Sequence, residues 1–435
     1  MTRFLIIVVL LALIGVGAYF YLNRTDASDG TAPVIAGAPP SASVLARGEY
    51  LTKAADCTAC HTVSGSGKAF AGGFPFKLPF GTIYSSNITA DVATGIGSWS
   101  DDDFVRAVRE GIRKDGQHLY PAFPYTSYTQ LSRNDVLAIK AYLFSLPKIS
   151  QPNKANELSF PYNQRWVMGF WNAAFFKNQR FVADSSKSPE WNSGKYVAVA
   201  LEHCGECHTP RNLGFGLEHG NELAGQELQG WRAYNITSDQ VHGIGAWSDG
   251  EIAAYLTTGH AEGRGSAAGP MAEAVQNSLR FLQPADTAAL VTYLRTVPAR
   301  EGKDPISVDV KAAPVIASSN AAPGGDSASA DNPGLRLFEG ACASCHQWNG
   351  QGQQTPYASL LGTRGVNDVQ GANVTQILLH GSDMRFAGPN IFMPAFGDAY
   401  SNTEIAELSN YVIGHFGNKQ GAVTPDDVAA RRKQF

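Results

Sequence analysis

The chain opens on its most apolar stretch. Phe4 to Leu22 reads FLIIVVLLALIGVGAYFYL, 19 residues without a charge. As a helix rising about 1.5 Å per residue it is about 28 Å long, close to the thickness of a bilayer's hydrocarbon core. Arg3 and the amino terminus precede it, and Arg24, Asp26 and Asp29 follow. That distribution of positive charge favours a cytoplasmic N-terminus and a body on the far side of the membrane. A cleaved signal peptide is the competing reading. Its apolar core is usually shorter and ends in a small-x-small site, and no clean A-x-A follows Leu22. The expectation is an uncleaved membrane anchor over residues 1–24.

Past that segment the apolar positions recur at helical spacing. After Ser132, residues Val136, Leu137, Ile139, Tyr142 and Leu143 form one apolar face, and Pro147 stops the helix. Ser248 with Glu251, and Ser401 with Glu404, are capping boxes; Ser100 with Asp103, and Ser132 with Asp135, are the aspartate version. Few segments alternate with period two, so strands should be scarce. The pattern predicts an all-α chain with long irregular loops. Two stretches rich in Ala, Gly, Pro and Ser punctuate it, Thr25–Ser43 and Ile306–Asn332, and both contain the string APVIA. They read as a tether and an interdomain linker.

Between these stretches the sequence repeats itself. One copy holds GEY at Gly48, CTACHT at Cys57, NIT at Asn87 and GIGSWSD at Gly95. The other holds GKY at Gly194, CGECHT at Cys204, NIT at Asn235 and GIGAWSD at Gly243, at offsets of 146, 147, 148 and 148. A third, shorter unit from Asn332 to Gly417 has CASCH at Cys342 and MPAF at Met393, without the GIG element. The division expected is a first domain at 44–150, an aromatic-rich segment at 151–190, a second domain at 191–300, a linker at 301–332, a third domain at 333–420 and a tail at 421–435.

Composition agrees with that count. At about 150 residues per domain, 435 residues make about three domains. With 44% hydrophobic and 17% charged residues the chain packs as a globule. A net charge of −4 supplies no basic surface for phosphate backbones, so nucleic acid is not an expected partner. The six cysteines are too few for a disulfide scaffold of this size, yet all fall into three C-x-x-C pairs, each followed by histidine.

The pairs are Cys57 and Cys60 with His61, Cys204 and Cys207 with His208, and Cys342 and Cys345 with His346. Sulfurs at i and i+3 lie on one side of a helical turn. From there both reach the two vinyl groups of one haem, and the adjacent histidine ligates its iron from below. A zinc ribbon needs its two pairs about 15–20 residues apart; here they are 147 and 138 apart. A redox dithiol needs no histidine after the second cysteine. Three covalently bound haems c are the expectation, and such attachment takes place outside the cytoplasm.

Methionine as sixth ligand suits electron transfer. Met393, 47 residues after His346, is the candidate in the third unit, with Met384 as its neighbour and rival. Met271, 63 residues after His208, is the candidate in the second. It stands 28 residues after Gly243, and the same count from Gly95 lands on Phe123, which cannot bind iron. The first haem therefore takes His118, five residues earlier, as first choice, Met168 as second, or keeps an open or water-bound site.

The series GEYL, CTACHT, NITAD, GIGSWSDDDF, GIRKDGQHLYPAFPYTSY, NQRWVMGFWN, HCGECHTPRN, GPMAE and MPAF resembles the triple-haem cytochrome c subunit of bacterial membrane-bound dehydrogenases, over nearly all of the chain after residue 44. The resemblance implies three class I cytochrome c-like domains in tandem, attached to the periplasmic side of the inner membrane. It further implies transfer of electrons from a catalytic partner to ubiquinone. The alcohol and gluconate type usually has methionine at the position of Phe123. The HLYPAFPY form is similar to the cytochromes of the molybdenum hydroxylase group, which implies an aldehyde-type partner with molybdopterin on one chain and iron–sulfur clusters on a small one. A quinoprotein alcohol or flavin-dependent sugar-acid dehydrogenase is the alternative.

The chain itself shows no Gly-rich dinucleotide fingerprint and no nucleophile elbow, so no catalytic residues are assigned to it. Two other readings compete with a dehydrogenase subunit: a multihaem peroxidase with an open first haem, and a donor to a terminal oxidase. The segment from Phe160 to Trp191 is dense in aromatics and reads first as a packing strut between domains, then as a surface for a partner, quinone or bilayer. The terminal AARRKQF reads as a solvated end, with a basic contact to lipid headgroups as the alternative.

Overall fold

The capping signals in the sequence become helix starts. A computed structural model describes residues 32–39, 41–302, 332–385 and 391–434, together with Gly15 and Gly17. In the first copy of the repeat Ser43 caps α1 (Val44–Ala54), and α2 (Cys57–His61) follows Asp56, which stands at φ 48°. Ser100 and Asp103 form a reciprocal box at the start of α3 (Asp101–Glu110), which ends where Gly111 turns to φ 63°. After the single turn α4 (Tyr125–Tyr128), Ser132 caps α5 (Arg133–Ser145). The aromatic segment contributes α6 (Val167–Phe175). The second copy runs α7 (Pro189–Tyr196), α8 (Cys204–His208), α9 (Asp249–Thr258), α10 (Gly269–Asn277) and α11 (Pro284–Leu294). The third unit runs α12 (Pro333–Ala341), α13 (Ala343–His346), α14 (Arg364–Asn367), α15 (Ala372–His380), α16 (Asn402–Gly417) and α17 (Pro425–Arg432).

In every unit the first helix crosses the last long one: α1 on α5, α7 on α11, α12 on α16. A glycine sits at each crossing. A Cβ on Gly48 would stand 2.0 Å from the Ala138 carbonyl oxygen, one on Gly194 1.8 Å from that of Ala289, and one on Gly334 2.4 Å from that of Glu407. No side chain fits there. This is why GEY and GKY recur. Gly334 is their counterpart in the third unit, hidden in the sequence because its flanking residues differ.

The first two copies share one core, which runs from Leu51 and Val136 to Leu201 and Leu290. They exchange a tyrosine across it. Tyr50 of α1 donates to Asp286 Oδ2 of α11 at 2.6 Å, and Tyr196 of α7 donates to Asp135 Oδ2 of α5 at 2.6 Å. Each tyrosine oxygen also accepts a backbone N–H at the start of the opposite helix, from Gln283 at 3.0 Å and from Ser132 at 3.1 Å. The pair is thus related by an approximate twofold. The third unit has its own core around Phe338, Leu378, Ile413 and Phe416.

Several expectations are corrected. The fold is not all-α. Short antiparallel ladders pair β1 (Pro75–Leu78) with β2 (Gly81–Tyr84) and β2 with β3 (Glu157–Leu158). Likewise β4 (Gln226–Leu228) pairs with β5 (Trp231–Ala233), β6 (His260–Ala261) with β7 (Gly265–Ser266), and β8 (Ser382–Met384) with β9 (Ile391–Met393). They satisfy backbone groups in the loops between helices, and strands this short leave no readable period-two pattern. The N-terminal transmembrane helix is not supported either. Among the described residues no helix is long and apolar enough to cross a membrane, and Phe4–Leu22 lies outside the described residues except Gly15 and Gly17.

The stretch read as a tether is not free where it is described. Ile35 and Ala38 are fully buried, and the Ala36 and Gly37 amides donate to Asp286 at 2.7 and 2.8 Å. Most of the second low-complexity stretch, residues 303–331, lies outside the described residues. The terminal segment is a capped helix, α17. It buries Val428, and its Arg431 donates to the Gly230 carbonyl and to Glu227 of the second copy.

Candidate haem sites

The three C-x-x-C-H strings each form one short helix ending in histidine. In α2 and α8 the residue before the first cysteine is left-handed, Asp56 at φ 48° and His203 at φ 39°. That turn swings the helix off the preceding one, so both sulfurs face inward. The cysteines are free. Burial pushes the Cys57 and Cys342 thiols up to about 12 and Cys207 to about 11, and it raises Cys60 and Cys204 as well. These are neutral buried thiols. Thioether formation with a vinyl group needs only a thiol in reach.

The three histidines are set alike. His61 Nδ1 bonds the Ser86 carbonyl at 2.7 Å, His208 Nδ1 that of Tyr234 at 2.6 Å, and His346 Nδ1 that of Ala358 at 2.7 Å. A carbonyl only accepts, so Nδ1 carries the proton and Nε2 presents its lone pair. This is the tautomer and orientation a metal-ligating imidazole needs. Burial lowers the pKa of all three, which favours the neutral ring.

The repeated NIT string explains these carbonyls. Ser86 and Tyr234 are the residues just before it. Asn87 Oδ1 accepts from the Thr89 amide and hydroxyl, and its Nδ2 donates to the Ile149 carbonyl at 2.8 Å. Asn235 does the same with Thr237 and donates to the Arg300 carbonyl at 2.6 Å. The asparagine therefore fixes the loop that orients the histidine. Sequence reasoning had the string and lacked its role.

The second and third sites open on one continuous cavity of about 1740 Å³, whose wall includes Cys207, His208, Cys345 and His346, and Cys60 of the first site reaches it too. A single cofactor site takes roughly 300–1,000 Å³, so there is room for more than one large planar group. Asp56 and Cys60 of the first copy lie within electrostatic reach of Cys207 of the second.

Of the expected sixth ligands, Met271 and Met393 both lie on the cavity wall. Met271 stands in the first turn of α10, after Pro270. Gly269 at φ 51° allows that turn to lie on Trp231, where a Cβ would come 2.4 Å from the ring. Met393 ends β9 and packs with the third unit's core beside Cys342, whereas its rival Met384 is buried in the core of the first two copies. In the first copy, Phe123 packs 5.5 Å from the Tyr128 ring. His118, like His61, is not among the residues of the cavity wall. Its Nδ1 meets the Asn172 amide nitrogen at 3.2 Å, and its carbonyl accepts from Arg165 at 2.9 Å. Met168 is on that wall with Cys60. It comes from α6, outside the copy, where a count along the repeat does not reach.

The aromatic segment packs on one face and exposes the other. Trp171 donates to the Gly214 carbonyl at 2.7 Å, and Tyr162 stacks on Phe80 at 4.1 Å. Phe80 in turn meets Phe215 edge-on at 5.8 Å. Outside this cluster Phe160, Trp166, Phe170 and Leu213 stand exposed, Trp166 and Phe170 at 66% each. Phe80, Tyr162, Leu213 and Phe215 lie on the cavity wall, and exposed Phe160 and Trp166 adjoin the wall residues Pro161 and Val167 in sequence.

Comparison with known proteins agrees with this geometry. The cytochrome c family model matches residues 45–147 and 332–414. The chain is 39% identical over 397 residues to the fructose dehydrogenase cytochrome subunit of Gluconobacter japonicus, covering 88% of this chain and 82% of that one. It is 40% identical over 380 residues to a nicotinate dehydrogenase subunit of Pseudomonas putida, covering 86% of this chain and 30% of that longer protein. A dihaem cytochrome c-type protein of Cereibacter sphaeroides is 37% identical over 298 residues, 67% of this chain and 97% of its own length.

Proposed function

The chain belongs to the family of dehydrogenase cytochrome c subunits, and from that premise we propose that it carries three haems c and passes electrons from a catalytic partner chain to ubiquinone at the periplasmic face of the inner membrane. The observation that carries this reading is threefold repetition: three cysteine pairs, each followed by a histidine whose Nδ1 is tied to a backbone carbonyl. The six cysteines would hold the haems through thioethers, formed by adding S–H across a vinyl group with no net change of oxidation state. Bound haem supplies one-electron chemistry at its iron. His61, His208 and His346 would hold that iron through Nε2, with Met271 as the further ligand in the second site and Met393 in the third.

For the first site we take Met168 as the sixth ligand in preference to His118. The support is the cavity wall shared by Met168 and Cys60, against a His118 ring held by Asn172. Low-temperature EPR and the near-infrared methionine-to-iron band test it. Met168→Ala is expected to alter one haem of three, and His118→Ala none. A changed haem in His118→Ala with an unchanged set in Met168→Ala reverses the assignment. A five-coordinate, high-spin first haem in the unmodified protein favours the peroxidase reading instead.

Ubiquinone as acceptor is supported by the apolar cavity wall at Phe80, Tyr162 and Phe215 and the exposed aromatics that adjoin it in sequence. A lipophilic quinone needs such a lining. The complex purified in mild detergent should reduce a short-chain ubiquinone when the partner's substrate is added. Haems that go reduced while the quinone does not would remove quinone as acceptor. The likeness to the nicotinate dehydrogenase chain supports a molybdopterin partner of aldehyde type with a small iron–sulfur chain. The likeness to the fructose dehydrogenase cytochrome favours a sugar or alcohol dehydrogenase. The metal and cofactor content of the co-purified large chain separates the two.

A further inference from the structure

Arg364 belongs to the third unit but reaches into the second. It opens α14, where Thr363 Oγ1 caps the turn by accepting the Val366 amide. Its guanidinium donates from Nη1 to the Asn235 carbonyl at 2.8 Å and from Nη2 to the Gly243 carbonyl. It lies 5.6 Å from the Tyr234 ring centroid and 5.7 Å from that of Trp247. Tyr234 is the residue whose carbonyl holds His208 Nδ1–H at 2.6 Å. One arginine and one haem-site histidine are therefore bonded to consecutive carbonyls of one loop. Gly243 begins the GIGAWSD string, so the same arginine ties together both loops that define the second copy.

The placement is built. A Cβ on Gly362, at φ 69°, would stand 2.2 Å from the Gly263 carbonyl oxygen, and one on Gly265, at φ 111°, 3.0 Å from Thr363 Cβ. Backbone meets backbone there at a separation only glycine allows. Tyr357 adds a hydrogen bond from its hydroxyl to the Thr258 carbonyl at 2.6 Å. The arginine is thus held from its own side by a docked loop, and it shares the cavity wall with His208 and Met271. A fixed positive charge beside a group that gains an electron stabilises the reduced form. In a low-dielectric cavity that effect is much stronger than in water.

We infer that Arg364 is a positioning residue for the second haem, supplied by the third unit, and that its charge holds that haem's reduction potential up. The inference rests on the haem reading above. Redox titration of the full chain, followed spectroscopically, tests it with three variants. The second haem is identified as the component displaced by Met271→Ala. In Arg364→Gln that component is expected to fall by about 59 mV or more, a tenfold change in its one-electron equilibrium, while the other two stay in place. Arg364→Lys keeps the charge and loses the planar fork, so the same component falls by less. Tyr357→Phe loosens the same contact without touching the charge and leaves all three midpoints unchanged.

Unchanged midpoints in Arg364→Gln overturn the inference. So does an equal fall in Tyr357→Phe, since undocking would then account for it. If the glutamine variant does not accumulate, the lysine variant decides, and a fall of about 59 mV or more in its second component, with the charge kept, overturns the inference. A chain that carries no haem at all defeats the haem reading instead, and intact mass separates that outcome from the others.

Discussion

Serine at both Cys204 and Cys207 is expected to leave two covalent haems in place of three and to cut electron flow from the catalytic chain to quinone to the background rate. A hydroxyl does not add to the vinyl groups as the thiol does, so the second site loses its attachment. The second copy packs against both other units. Cys207 is within electrostatic reach of Cys60 and Asp56 in the first copy, and the third unit inserts Arg364 into its loops. A relay that uses all three sites has to pass through it. Haem content by the pyridine haemochrome method and the rate of quinone reduction check the two halves of the prediction. Two haems with a near-normal rate would show that the second site is off the path.

Replacing Asp135 by alanine is expected to destabilise the chain by about 3–5 kcal/mol, the range for breaking a buried ion pair from one side. Asp135 is fully buried. Its Oδ1 accepts from Arg47 Nε at 2.9 Å and from Arg47 Nη2, and its Oδ2 accepts from Tyr196 at 2.6 Å. Alanine leaves the Arg47 charge without its partner and the tyrosine hydroxyl without its acceptor, at the seam between the two copies. Tyr196→Phe removes only a hydroxyl and should cost about 1–3 kcal/mol. Urea unfolding followed by far-ultraviolet circular dichroism measures both. A loss under about 1 kcal/mol for Asp135→Ala, well below the range for a broken buried pair, would mean that the reciprocal tyrosine exchange does not hold the copies together.

The haem attachment was readable because covalent chemistry demands contiguous residues. Cys57, Cys60 and His61 announce themselves within five positions. Helix starts were readable for the same reason, since a cap and its partner lie three residues apart. The rest depends on pairs distant in sequence. Tyr50 and Asp286 are 236 residues apart, Tyr196 and Asp135 61 apart, and no local pattern reveals either. Met168, proposed for the first site, comes from α6, which lies outside the repeat, while the position matching Met271 of the second copy holds Phe123. The NIT string was visible, but its purpose was not. It works through the carbonyl of the residue before it, and a carbonyl has no sequence signature. The short ladders were missed because two to four residues carry no period.

Intact-mass spectrometry of the protein isolated from its own cells tests the central claim most directly. The account predicts the mass of the polypeptide plus three haems, surviving denaturation because each is fastened through sulfur. A mass equal to the bare polypeptide, with six free thiols, would contradict it.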